Sequence, residues 1–140
     1  MNFPSLILCV LCVMNFFYIF LDNYRKIYIT YIMDKNIPYI DEIVSIIVST
    51  VEPDQIVLFG SYARGDNKNT SDIDLLVLKK NLHDTKIITD NLYMSFFDNK
   101  IKIPVDLIVF DYDKYNKLKN EIGYIYKTIS REGKLIYGTV

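Results

Sequence analysis

Leu58-Phe-Gly-Ser-Tyr-Ala-Arg-Gly-Asp-Asn-Lys-Asn-Thr-Ser-Asp-Ile-Asp-Leu-Leu-Val77 decides how the rest of the chain is read. A short apolar run, Ile56 to Phe59, stops at Gly60-Ser61. Ten residues separate Ser61 from Asp72, Asp74 follows one residue later, and Ile73 to Leu78 is apolar again. The pattern predicts a strand, a small-residue turn, a polar loop from Tyr62 to Ser71, and a second strand that opens with two carboxylates. Gly60 allows close backbone approach to an anion. Ser61 offers a hydroxyl and an N–H, and a helical turn after it would present unpaired N–H groups to phosphate. Residues two apart on a strand face the same way, so Asp72 and Asp74 point together. Two adjacent like charges call for a cation, and Mg²⁺ takes carboxylates together with substrate phosphates.

A third carboxylate belongs to the same pattern. Ile103-Pro-Val-Asp-Leu-Ile-Val-Phe110 predicts another strand, with Asp106 as its only charge. A lone Asp buried in such a run is costly unless paired or metal-bound. Placed beside the Asp72/Asp74 strand, it makes three acids, enough for two ions roughly 3.5–4 Å apart, as in-line phosphoryl displacement uses.

These residues resemble the nucleotidyltransferase superfamily that includes DNA polymerase beta. The words Gly-Ser-Tyr-Ala-Arg-Gly at 60–65 and Ser-Asp-Ile-Asp-Leu at 71–75 are similar to its minimal nucleotidyltransferase branch. The likeness covers roughly Met33 to the C-terminus. It implies that Asp72, Asp74 and Asp106 are catalytic and bind two Mg²⁺ ions. It also implies that Gly60, Ser61 and Arg64 lie at the nucleotide, and that ATP donates AMP to a hydroxyl. Arg64 has an equal alternative as a surface partner of Asp66. The chain has no room for an extra acceptor-holding domain, so the acceptor is expected on another protein. The branch resembles MntA-like antitoxins paired with HEPN toxins, which implies a toxin tyrosine as the target. The alternatives are the same chemistry on a small molecule such as an aminoglycoside, or an antitoxin that neutralises by binding alone.

The rest of the chain frames that core. Its 140 residues suit one domain, and a net charge of −1 gives no basic field for bulk nucleic-acid binding. The hydrophobic content, 51%, is slightly high, and much of the excess sits at the front of the chain. The uncharged run Phe3 to Leu21 is nineteen residues, near a bilayer span. As an anchor, with Arg25 and Lys26 after it, it would leave a catalytic domain in the cytoplasm. A cleaved signal peptide is disfavoured, because no basic residue precedes the run and no Ala occurs before Ala63. The favoured reading is a working domain of 33–140, starting at Met33 and cytoplasmic. Cys9 and Cys12, within the apolar run, read as two small apolar residues rather than a metal or redox pair.

Ile40, Ile43, Val44, Ile47, Val48 and Val51 predict a helix with one buried face, entered with Pro38 in its first turn and closed at Glu52-Pro53-Asp54. A second helix is expected over Asp84 to Phe97, with Ile87, Ile88, Leu92 and Phe96 inward. Asp111 or Asp113 caps a last helix whose stripe is Tyr115, Leu118, Ile122, Ile125 and Ile129, ending at Gly133. Leu135-Ile136-Tyr137 adds an edge strand. His83, the only histidine, reads as a surface residue. The twelve tyrosines read as a compositional trend, with an exposed aromatic patch for a protein partner as the alternative. The expected fold is α/β (α+β): a small mixed sheet of about four strands, the Asp-bearing ones apolar on both faces, with helices packed on it.

Overall fold

A computed structural model of the chain describes residues 21–22, 26–27 and 37–138. The uncharged run up to residue 20, its two cysteines and the Met33 start lie outside the described residues. Two short strands, β1 (Leu21–Asp22) and β2 (Lys26–Ile27), pair antiparallel. Among the described residues no helix is long and apolar enough to cross a membrane.

Among the described residues the main sheet has four strands in the order β5-β4-β3-β6. β3 (Gln55–Phe59) pairs antiparallel with β4 (Ile73–Lys79) on one side and with β6 (Lys134–Gly138) on the other. β5 (Val105–Asp111) runs parallel to β4. A parallel neighbour needs a crossover, and α3 (Thr85–Asp98) supplies it. The expected mixed four-stranded sheet is therefore present, with Leu135 to Tyr137 in an edge strand.

Alternation along the strands splits the apolar residues between two faces. Leu75 and Val77 join Ile56 and Leu58 in the larger core, beneath α1 (Ile40–Val51) and α3. α1 contributes Ile40, Ile43, Val44, Ile47 and Val51, as its spacing predicts. It begins after Pro38 rather than with it, and closes on Glu52 in the left-handed region at φ 49°, before the buried Pro53. Leu76 and Leu78 face the opposite way and join Val57, Tyr115 and Ile129 in a smaller core. That side is covered by α4 (Tyr112–Leu118) and α5 (Ile125–Glu132). The Asp111 carboxylate caps α4, accepting from the Lys114 N–H at 2.9 Å.

Four expectations need correction. The last helix is two helices, broken over 119–124, where Gly123 takes φ 95°. Its stripe is broken with it: Tyr115 and Ile129 are buried, but Ile122 is 86% exposed and Ile125 51%. Ile87 of α3 faces solvent at 59% exposure, while Leu92 and Phe96 turn inward. Tyr62 and Ala63 are not loop residues; both are buried in the short helix α2 (Gly60–Arg64). β4 is buried on both faces, but among the described residues β5 is an edge strand in which only Val109 is buried. Asp106 is exposed on that edge, so the cost of burying a charge does not explain its presence.

Candidate active site

β4 and β5 run in register with Asp74 opposite Asp106. Side chains of matched residues on parallel neighbours project to the same face, so both carboxylates lie on the side of the smaller core. Asp72 precedes β4 by one residue and is exposed. Both of the other acids act on Asp74. Burial first, then the carboxylates of Asp106 and Asp72, push the Asp74 carboxyl above its ordinary value, while Arg64 pulls it down. Asp74 thus stands opposite Asp106 and within the field of Asp72, at the end of the sheet where β3 passes into α2.

Gly60 lies directly against Asp74. It stands at φ 68°, a conformation that favours glycine. A β-carbon here would lie 2.0 Å from Asp74 Oδ2 and 2.7 Å from its Cγ. Phe59 is paired with Asp74 across the β3–β4 ladder, which brings the start of α2 against that carboxylate. The glycine–serine bend and the acids therefore share one wall. Ser61 is half-buried in the first turn of α2, and its carbonyl accepts from the Gly65 and Asp66 N–H groups at 2.8 and 3.1 Å. The loop after α2 folds as a turn at Lys68 to Ser71, where the Lys68 N–H donates to Ser71 Oγ at 2.8 Å.

Arg64 ends α2. Its Nε donates to Asp66 Oδ2 at 3.2 Å, and its Nη1 lies 3.7 Å from Glu132 Oε2. It also lies near enough to Asp74 to act on that carboxyl. Arg64 thus pairs with Asp66, as one reading expects, and its charge is also felt at Asp74. Glu132 has no signal in the linear sequence, because only the pairing of β6 with β3 carries it there. Exposed His83 stands apart in the loop before α3.

The donor set is three carboxylates, the hard oxygen ligands that Mg²⁺ takes. As the side chains stand, no three His, Cys, Asp or Glu residues among those described are gathered closely enough to enclose an ion. The fit rests on Asp74, whose crowding by two like charges a divalent cation would relieve.

Residues 41–139 match the family model described as polymerase beta, nucleotidyltransferase. The protein adenylyltransferase MJ1215 of Methanocaldococcus jannaschii is 42% identical over 59 residues, which cover 38% of this chain and 59% of that relative. Among solved structures, a toxin–antitoxin crystallised with AMP-PNP is 25% identical with a TM-score of 0.53, covering 71% of this chain and 73% of that one. A mutant of the MntA–HpeT toxin–antitoxin is similar in fold, with a TM-score of 0.51 at 22% identity over 71% of this chain and 73% of its own. With the family model spanning most of the chain, and the sheet pairing two of the pattern's acids beside a glycine that leaves room for one of them, the chain belongs to the polymerase beta nucleotidyltransferase family.

Proposed function

We propose that this chain transfers AMP from ATP to a hydroxyl on a partner protein, and that the partner is a HEPN-type toxin modified on tyrosine and silenced by it. The observation that carries the reading is the register of Asp74 with Asp106, closed over by Gly60. Gly60 and Ser61 hold the outer phosphates of the nucleotide, and Arg64 steadies them from the end of α2. Asp72, Asp74 and Asp106 would hold Mg²⁺, which when bound offsets the negative charge of the phosphates. Asp106 is exposed at the sheet edge, where an acceptor on another protein can reach it. It takes the proton as the acceptor oxygen bonds to the α-phosphorus, the bond to the β-phosphate breaks, and pyrophosphate leaves. The catalytic unit in this reading is the segment 33–140.

The support is the family, the shared wall of acids and bend, and the likeness to toxin–antitoxin and adenylyltransferase proteins. The test is incubation with ATP, Mg²⁺ and the toxin encoded beside this chain, followed by intact-mass measurement. The expected product carries one or more AMP units. An unmodified toxin, with nucleotide bound normally, defeats the proposal.

A second reading, neutralisation by binding alone, is favoured by the apolar side chains that α3 leaves in solvent, Met94 at 61% and Phe97 at 78% exposure. Asp72→Asn combined with Asp74→Asn separates the two. An enzyme loses toxin control while staying folded, and a binder keeps it.

A further inference from the structure

Glu132 lies far from the motif in sequence, yet its surroundings fix it beside α2. Lys134, two residues on, is paired with Leu58 across the β3–β6 ladder. Between them Gly133 has no room for a side chain: a β-carbon there would lie 2.6 Å from Val57 Cγ1 and 2.5 Å from the Ile129 carbonyl oxygen. Ile129 itself is buried in the smaller core. The end of α5 is therefore clamped against the strand that leads into Gly60. The Glu132 carboxylate then divides its oxygens. Oε1 accepts from Arg131 Nη2 at 2.5 Å, and Oε2 faces Arg64 Nη1 at 3.7 Å.

Arg64 is pulled two ways. Asp66 accepts from its Nε at 3.2 Å from the loop after α2, and the Asp66 side chain is 60% exposed. Glu132 faces its Nη1 at 3.7 Å from the packed end of α5, and its side chain is 27% exposed. An ion pair that is better shielded from water is less screened, and one anchored on packed structure loses less entropy. Asp66 makes the closer contact, at 3.2 Å against 3.7 Å, but of the two Glu132 is the partner carried on packed structure and the better shielded.

We propose that Glu132 is a positioning residue, which holds the Arg64 guanidinium on the Asp74 side of the bend, ready for the phosphates of a bound nucleotide. This rests on the nucleotide reading given above. Without Glu132, Asp66 alone directs the guanidinium and the nucleotide loses a contact.

The test is calorimetric binding of ATP with Mg²⁺ to the full chain and to Glu132→Gln, alone and on an Arg64→Ala background. Loss of one partly exposed pair is expected to weaken ATP binding about two- to fivefold. On the Arg64→Ala background, Glu132→Gln is expected to change nothing further, because the group it positions has gone. A merely structural role would weaken binding equally on both backgrounds, and that result overturns the proposal. Unchanged or tighter binding by Glu132→Gln overturns it as well. If the unmodified chain binds no ATP, the nucleotide reading falls and this inference falls with it. If the unmodified chain binds and Glu132→Gln binds equally, this inference alone is lost.

Discussion

Replacing Gly60 by alanine tests the geometry on which the site depends. Two costs can be worked out. The first is conformational: a non-glycine residue at φ 68° gives up about 1–2 kcal/mol. The second is steric. The new β-carbon would stand 2.0 Å from Asp74 Oδ2, so the carboxylate has to retreat by roughly 1 Å to reach the shortest distance real contacts show. Overpacking of that kind costs about 1–3 kcal/mol. The sum is a loss of about 2–5 kcal/mol, measured as a fall in the extrapolated stability in urea. The two costs separate in a double-mutant cycle. With Asp74→Ala already present, the carboxylate is gone and the Asp74 Cβ, 3.2 Å away, is tight but not overlapping. Gly60→Ala should then cost only the conformational share, about 1–2 kcal/mol. In activity, a displacement of about 1 Å in a reacting group is worth about 10²-fold, so AMP transfer by Gly60→Ala should fall on that scale. An equal cost on both backgrounds would refute the claim that Gly60 is there to make room for Asp74.

Three further outcomes are expected. Asp74→Asn should raise stability at neutral pH while abolishing transfer. Burial and its acidic neighbours raise the Asp74 carboxyl in the folded chain, so the folded state holds the proton longer and loses stability as pH rises through that window. The advantage of Asp74→Asn should therefore vanish below the ordinary carboxylate pKa, and a pH series of melting temperatures checks it. Gly133→Ala should destabilise by about 1–3 kcal/mol from overlap with Val57 and the Ile129 carbonyl, since its φ of −71° carries no strain; urea titration reads it. Ile122→Ser should stay within about 0.5 kcal/mol of the parent, whereas Ile129→Ala should lose about 2–5 kcal/mol, by the same measurement.

Much of the site was legible because its signals are local. Gly60-Ser61 and the Asp72/Asp74 pair carry their spacing in the sequence, and the alternation of Ile73 to Leu78 sets their face. The helix α1 was legible because six apolar residues repeat at one period over a single uninterrupted segment. Asp106 lies in the strand expected of it, opposite Asp74, but the reason first given for its presence does not hold. An apolar run looks the same in a central strand and in an edge strand, and only sheet order shows that β5 has one neighbour. The stripe through Ile122 and Ile125 misled in a similar way. Three-four spacing continued across Gly123, and periodicity does not register a break that leaves the period intact. Glu132 was invisible because its contact with Arg64 spans the whole ladder from β3 to β6. Tyr124 and Tyr126 form a column with Phe110, at ring separations of 6.2 and 4.6 Å, so part of the tyrosine excess is a packing feature.

The pairing of β4 with β5 has one more consequence. The gap between the two strands is set by peptide hydrogen bonding at about 4.8 Å, whatever side chains the sheet carries. Asp74 and Asp106 therefore borrow their spacing from a backbone constant. Core residues around them can be exchanged freely without altering that ruler, but inserting or deleting one residue ahead of Asp106 within β5 would turn its carboxylate to the opposite face.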